Sequence, residues 1–219
     1  MSIHFQENSE LKFIDDYAFS FSSLKKIKIP SHVIEIGVSC FSDCIKLESV
    51  DFSIDSKLKT IKKFTFENSS IYKLTLPSNV EKLEYDWCSG VSKLNNISIS
   101  LNNKYLKNYK EFLIGKSEEK SEEFDVIFFA PRNIKKIKIP SFVKQIAPHS
   151  FDKCLELTFI EFEEKSQLRL IGSSSFSSSS IKSILIPSSV VHIDNFAFSN
   201  CHNLEKVEFE KDSKLYSIG

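Results

Sequence analysis

A short apolar pattern that returns at nearly constant intervals constrains this chain more than any other feature. The pattern is a hexad, apolar-x-x-apolar-x-apolar, as formed by Leu24, Ile27 and Ile29. Its copies start at Leu24, Leu47, Ile71, Leu94, Ile134, Leu157, Ile181 and Leu204. The spacing between starts alternates between 23 and 24, except for one of 40 after Leu94. A fixed period in this range indicates a repeat architecture.

A second pattern follows the hexads: an aliphatic residue, an aromatic residue five positions later, and a small residue three positions beyond. Its copies are Ile14…Phe19…Ser22, Ile36…Phe41…Cys44, Ile61…Phe66…Ser69, Ile146…Phe151…Cys154, Ile171…Phe176…Ser179 and Ile193…Phe198…Cys201. The shorter units carry Pro-Ser after the hexad, and the longer units carry a polar turn. The wide spacing after Leu94 predicts an irregular insertion within about 100–133. Its charged segment 116–123 is expected to be a hairpin tip or loop.

The hexad predicts a half-buried β-strand, because its last residues alternate between apolar and polar. A proline directly after the strand removes a hydrogen-bond donor where pairing should stop. One unit of this size cannot bury its own apolar face, but stacked units cover one another and align their strands in a parallel sheet. We therefore predict one domain over residues 1–219. The aromatic residues of the second pattern should form a buried stack: Phe19, Phe41, Phe66, Phe151, Phe176 and Phe198.

Taken together, the two patterns resemble the BspA-like leucine-rich repeat. The run from Ile186-Pro187-Ser188 through Ile193, Phe198 and Phe209 is similar to that repeat almost residue for residue. The resemblance covers essentially the whole chain. It implies a leucine-rich-repeat solenoid of the α/β horseshoe class, mostly β. A parallel sheet would line the concave side, with short strands and helical turns on the convex side. It also implies a microbial surface protein that binds host molecules, matrix or other cells.

Charge and composition narrow the range of partners. Lys plus Arg and Asp plus Glu both number 29, so electrostatics provides no reason to expect nucleic acid or an anionic membrane as partner. No basic segment precedes an apolar run at the start, as it would in a signal peptide. The run Val126–Ala130 is too short to insert into a bilayer. Secreted relatives would carry a signal, so both the cell surface and the cytoplasm stay open.

The first and last residues of the chain fall inside repeats. Ile3 and Phe5 match the end of a hexad, and Gly219 stops just before another aromatic position. Solenoids normally need polar capping units for solubility. We therefore expect the chain to be a fragment of a longer solenoid. Its uncapped ends also make end-to-end self-association one of the interactions that the sequence leaves open.

No residue pattern points to catalysis, a metal or a cofactor. The five cysteines fall in small core positions of the repeat and predict buried free thiols without a disulfide. The five histidines share no repeat position. No Ser-His-Asp set, H-E-x-x-H motif or glycine-rich phosphate loop is present. We therefore predict a protein that is not an enzyme and needs no cofactor.

If the first hexad residue is position 0, positions 2 and 4 should face the concave side. Most residues there are small or charged, but Phe159 and Leu185 are apolar and lie in neighbouring rows. An apolar pair inside a charged surround is the arrangement expected at the centre of an interface. The candidate ligand-binding face is therefore Lys136, Lys138, Phe159, Glu161, Leu185 and Lys206.

Two functions compete at this point. The first is a protein-binding or adhesion module for a protein, matrix or host-surface ligand, and the second is a structural spacer or intracellular scaffold. The inserted segment 100–133 is a competing binding site, because irregular loops on a rigid scaffold often carry function. Lysines in several concave rows raise the alternative of nucleic acid, but Asp51, Glu161 and Glu208 interrupt them. The triplets at Asn68 and Asn96 fit the N-glycosylation pattern, and the sequence leaves their use open.

Overall fold

The computed structural model describes residues 2–6, 8–118 and 120–219. Within these ranges the regular structure consists of β-strands and contains no helix. Numbered in chain order, the strands are β1 Ser2–Ile3, β2 Phe13–Ile14, β3 Lys26–Ile29, β4 Glu35–Ile36, β5 Ser49–Phe52, β6 Thr60–Ile61, β7 Lys73–Leu76, β8 Lys82–Leu83, β9 Asn96–Ile99, β10 Leu106–Tyr109, β11 Phe112–Gly115, β12 Val126–Phe129, β13 Lys136–Ile139, β14 Gln145–Ile146, β15 Phe159–Phe162, β16 Leu170–Ile171, β17 Ser183–Ile186, β18 His192–Ile193, β19 Lys206–Phe209 and β20 Ser217–Ile218.

The chain divides into two compact units, Met1–Asn108 and Tyr109–Gly219. The boundary falls inside the segment where the sequence predicts the insertion. The prediction of one domain over residues 1–219 stays a prediction.

In the first unit, strands β1, β3, β5, β7 and β9 form one parallel sheet in that order. The two-residue strands β2, β4, β6 and β8 form a second parallel sheet. In the second unit, β13 pairs with β15 and β17 pairs with β19, while β14, β16, β18 and β20 repeat the second sheet. Each unit is therefore a parallel β-solenoid, in which every repeat contributes one strand to each face.

The predicted insertion is a β-hairpin at the start of the second unit. Strand β11 pairs antiparallel with β12, and β12 pairs in parallel with β14 at Val126↔Gln145. The hairpin thus occupies the position of one two-residue strand. Asp125 closes it, because its carboxylate accepts hydrogen bonds of 2.9 Å from both the N–H and the hydroxyl of Ser117. The hairpin tip predicted at 116–123 is confirmed as the connection between β11 and β12, with Glu119 outside the described residues.

The side chain of Asn108 covers the edge of β9 in the first unit. Its Oδ1 accepts a hydrogen bond of 3.0 Å from the N–H of Ile99, and its Nδ2 donates one of 3.1 Å to the carbonyl of Ile97. The Asn108 carboxamide therefore makes the same two hydrogen bonds to β9 that a peptide group of a neighbouring strand would make. Open strand edges invite pairing with other chains, and this amide occupies one.

The core of each unit follows the alternation of the hexads. In β3, β7, β13 and β17 the apolar residues are buried and the residues between them are exposed. The predicted aromatic stack is present. Ring centroids are 5.4 and 5.7 Å apart along Phe19, Phe41 and Phe66, and 4.9 and 5.5 Å apart along Phe151, Phe176 and Phe198. The inner rings are fully buried, whereas Phe19 and Phe198 are only partly buried.

The prediction of helical turns was wrong. The residues two positions before and after the aromatic ring have positive φ, as in Ser39 (51°) and Asp43 (56°) around Phe41. This left-handed backbone interrupts a helix. It directs alternate N–H groups to the next repeat, in the bonds Ser39 to Lys63, Phe41 to Thr65 and Asp43 to Glu67. Neighbouring repeats are thus joined by a ladder of main-chain hydrogen bonds, here called the turn ladder.

Candidate protein-binding face

The structure brings the six candidate residues onto four strands of the second unit. Lys136 lies opposite Phe159, and Lys138 opposite Glu161, in the register of β13 and β15. Leu185 lies opposite Glu208, and Ser183 opposite Lys206, in the register of β17 and β19. All six candidates are exposed. The strand alternation explains this, because the residues between them point into the core, as Ile160 and Ile184 do.

The two apolar residues are half exposed. Phe159 and Leu185 each present 49% of their surface to solvent. They lie on β15 and β17, which are in contact although their backbones belong to separate two-stranded sheets. Phe159 begins its strand and Leu185 is the third residue of its own, so the pair runs diagonally across the two strands.

Two ion pairs stand beside this apolar pair. The ammonium of Lys138 donates to Oε1 of Glu161 at 3.0 Å, and that of Lys206 lies 2.8 Å from Oε1 of Glu208. The hydrogen bond to Glu161, followed by the attraction of its charge, raises the pKa of Lys138 above its ordinary value. At least half of each of these four side chains is exposed, so water and salt screen both pairs and neither contributes much to stability.

Leu155 is a further exposed apolar residue that the sequence analysis did not include. It lies four residues before Phe159 and is 58% exposed. Its carbonyl accepts a short hydrogen bond from the Ser180 hydroxyl of the next repeat, which fixes its backbone. Spacing could not reveal it, because Leu155 precedes the hexad and the strand alternation does not extend to it.

The second unit repeats the first at a constant offset, a further feature the sequence analysis missed. Strands β3 and β13 have the same sequence, Lys-Ile-Lys-Ile, and start at Lys26 and Lys136. At this offset, Ser49 corresponds to Phe159 and Thr75 to Leu185. Lys26 lies opposite Ser49 in register, just as Lys136 lies opposite Phe159. The same repeat backbone therefore accepts polar residues at the positions of Phe159 and Leu185.

The cysteines and the glycosylation triplets occupy ordinary places in the repeats. All five cysteines are buried, and none of them is in a disulfide. Burial raises the pKa of the Cys154 thiol, and the nearby Arg132 guanidinium offsets part of that effect. Asn68 and Asn96 are both exposed. In the part of the chain that the structure describes, no group of three or more His, Cys, Asp or Glu side chains is placed to hold a metal ion.

Comparison with protein families decides the classification. The profile of the BspA type leucine rich repeat region matches six times, over residues 2–112 and 123–219. The chain belongs to this family. The BspA-type match spans both units and confirms the resemblance inferred from the repeats. No curated protein sequence matches the chain.

Solved bacterial structures share this BspA-type fold. The pneumococcal vaccine antigen PcpA is 25% identical with a TM-score of 0.76, over 94% of this chain and 56% of that one. A leucine-rich repeat protein from Eubacterium ventriosum is 19% identical with a TM-score of 0.70, over 92% of this chain and 58% of that one. A leucine rich cell surface protein from Faecalibacterium prausnitzii is 19% identical with a TM-score of 0.61, over 100% and 76%.

These matches confirm a leucine-rich-repeat solenoid. The chain spans somewhat more than half the length of the first two proteins. Among residues 2–6, 8–118 and 120–219, no helix has the length and hydrophobicity that crossing a membrane requires.

Proposed function

We propose that this chain is a non-enzymatic protein-binding module, and that its ligand docks on the face around Phe159 and Leu185. One observation carries the proposal: both residues are half exposed where the corresponding repeats of the first unit have Ser49 and Thr75. The fold therefore does not need apolar side chains at these positions. Apolar surface left in water costs free energy that contact with a partner recovers, and exposed aromatic residues often dominate such contacts.

The shape of the face also supports binding. Most of its side chains project from β13, β15 and β17, where Ile137, Ile160 and Ile184 are packed in the core below them. Such a surface loses little conformational freedom when a partner docks, so little of the binding free energy is spent on ordering.

We further propose adhesion at a microbial cell surface as the setting of this binding. The support is likeness alone: one similar structure is described as a vaccine antigen and another as a cell surface protein. The ligand would then be a protein or a matrix component of a host. The alternative is a structural spacer or an intracellular scaffold, in which this face has no ligand of its own.

The test is a double variant that restores the residues of the first unit, Phe159→Ser with Leu185→Thr. Binding of the whole chain to a panel of immobilised matrix and cell-surface proteins is measured before and after the change. For any ligand found, we expect the affinity to fall by about tenfold or more, which corresponds to about 1.4 kcal/mol of binding free energy. The free energy of unfolding should change by less than about 1 kcal/mol, because both side chains are half exposed.

The matched control is Ile54→Ser with Leu101→Ser, which removes two fully exposed apolar residues from the other unit. This control should leave binding unchanged. Equal loss of binding in both variants would point to unspecific apolar adhesion. Unchanged binding in the Phe159 and Leu185 variant would instead favour the inserted segment 100–133 as the docking site.

A further inference from the structure

The charges around the apolar pair are unevenly matched. Three carboxylates near it each have a lysine partner: Glu156 with Lys135 at 3.4 Å, Glu161 with Lys138 at 3.0 Å and Glu208 with Lys206 at 2.8 Å. These pairs leave no uncompensated negative charge among the three. The charge that remains on the face must therefore come from another residue.

That residue is Lys136. It is exposed and lies directly opposite Phe159 in the register of β13 and β15. Within the described residues its ammonium forms no ion pair. The apolar pair is thus bordered by the uncompensated positive charge of Lys136, in a chain whose total charge is zero.

A partner that covers Phe159 also removes water from the adjacent ammonium. An ammonium that loses water without gaining a counter-charge is costly, whereas one that meets a carboxylate recovers much of that cost. The ligand is therefore selected on two chemical features at once. It must bring an apolar side chain for Phe159 and a negative group for Lys136.

We propose that the ligand of this face is an acidic polypeptide, with an apolar side chain on Phe159 and Leu185 and a carboxylate on Lys136. This inference rests on the proposed function and specifies its partner. A polyanion without apolar groups, such as a nucleic acid or a sulfated glycan, fits less well. It would leave the apolar pair in water and would meet the carboxylates of Glu156, Glu161 and Glu208.

The experiment uses the whole chain and three fluorescent peptides of equal length. Each alternates Leu and Phe with one other residue, which is Glu, Gln or Lys. Fluorescence anisotropy at low and at high salt measures their affinities, and heparin serves as the polyanion probe. We expect the Glu peptide to bind at least about tenfold more tightly than the Gln peptide, and salt to reduce this difference.

The decisive variant is Lys136→Glu, and its matched control is Lys26→Glu. The control residue is the equivalent lysine of the first unit, in the same repeat position but opposite Ser49 instead of Phe159. Lys136→Glu should abolish the preference for the Glu peptide, and Lys26→Glu should preserve it. Circular dichroism of both variants confirms that they fold.

The outcomes separate this inference from the proposed function. If the Glu and Gln peptides bind equally, and Phe159→Ser with Leu185→Thr abolishes both, the acidic ligand is wrong while the apolar pair remains the binding centre. Heparin that binds and displaces the Glu peptide overturns the inference in favour of a polyanion. If the Glu peptide does not bind, or binds equally to the Phe159 and Leu185 variant, both the inference and the docking site are wrong.

Discussion

The guanidinium of Arg132 donates a hydrogen bond of 2.7 Å to the main-chain carbonyl of Ser150, in the interior of the second unit. It also donates to the carbonyl of His149 at 3.2 Å and lies 4.5 Å from the centre of the Phe129 ring. The main-chain N–H of Ala130 donates to the same Ser150 carbonyl at 3.1 Å, and this bond is equivalent to those of the turn ladder in other repeats. Arg132 therefore adds charged donors at the first turn of this unit, where its turn ladder begins.

The first prediction concerns Arg132, which caps the first turn of the second unit. Arg132→Met should lower the free energy of unfolding by about 2–4 kcal/mol, because buried carbonyls lose charged donors. Urea denaturation measures the change. Arg169→Met makes the same substitution at an exposed arginine and should change stability by less than about 0.5 kcal/mol. Equal effects of the two substitutions would contradict the capping role.

The second prediction concerns the aromatic stack. Phe176 is fully buried between two rings, so Phe176→Ala should cost about 3–5 kcal/mol through lost contacts and a cavity. Phe198 is only partly buried and stacks on Phe176 from the outside, so its truncation should cost less. Phe196→Ala, at a side chain that is 67% exposed, should be nearly neutral. Thermal or urea unfolding that does not rank the variants in this order would show that the repeat register is misassigned.

The third prediction concerns the thiols. Burial raises the pKa of Cys40, and the charge of Cys44 raises it further. Because the thiolate is the reactive form, the native protein should react slowly with an aromatic disulfide reagent at neutral pH. In denaturant without reductant, all five thiols should react. A count below five would reveal a disulfide.

The fourth prediction is an acid sensitivity located at Glu163. The main-chain N–H of Ser141 donates to its carboxylate at 2.9 Å and holds the pKa of Glu163 below its ordinary value of 4.5. A pKa that is lower in the folded state means that the carboxylate stabilises the fold fully above the unfolded value. This stabilisation is lost as the pH falls through the folded value.

Glu163→Gln should therefore reduce the dependence of unfolding free energy on pH below about 5, and this is measured by urea denaturation across that range. Glu164→Gln is the control, because it makes the same substitution at the adjacent, exposed glutamate. An unaltered pH dependence in Glu163→Gln would show that the Ser141 bond does not contribute to stability.

The spacing of apolar residues predicted the strands that recur in every repeat. It could not predict features that depend on a single residue found in only one repeat. The alternation of Ile137 and Lys138 predicted β13 and the side on which Phe159 and Leu185 lie. Helical turns were predicted wrongly because the turns contain residues with positive φ, such as Phe196 at 61°. Phenylalanine rarely adopts this conformation, so the residue type gave no sign of it. Arg132 was missed since arginine is normally a surface residue. Aligning the two halves of the sequence with each other would have singled out Phe159 and Leu185 more sharply.

The turn ladder has a consequence for how such a gene can change over time. The bonds that join one turn to the next, such as those from Ser39, Phe41 and Asp43, are made by the main chain alone. Duplication or deletion of a complete repeat preserves every one of them, whereas a residue inserted between the three donors of one turn would shift them out of step with their acceptors. Length is therefore free to evolve in whole repeats, while outward side chains diversify separately. Thr75 and Leu185, which are both exposed, are two outcomes of that divergence on one backbone plan.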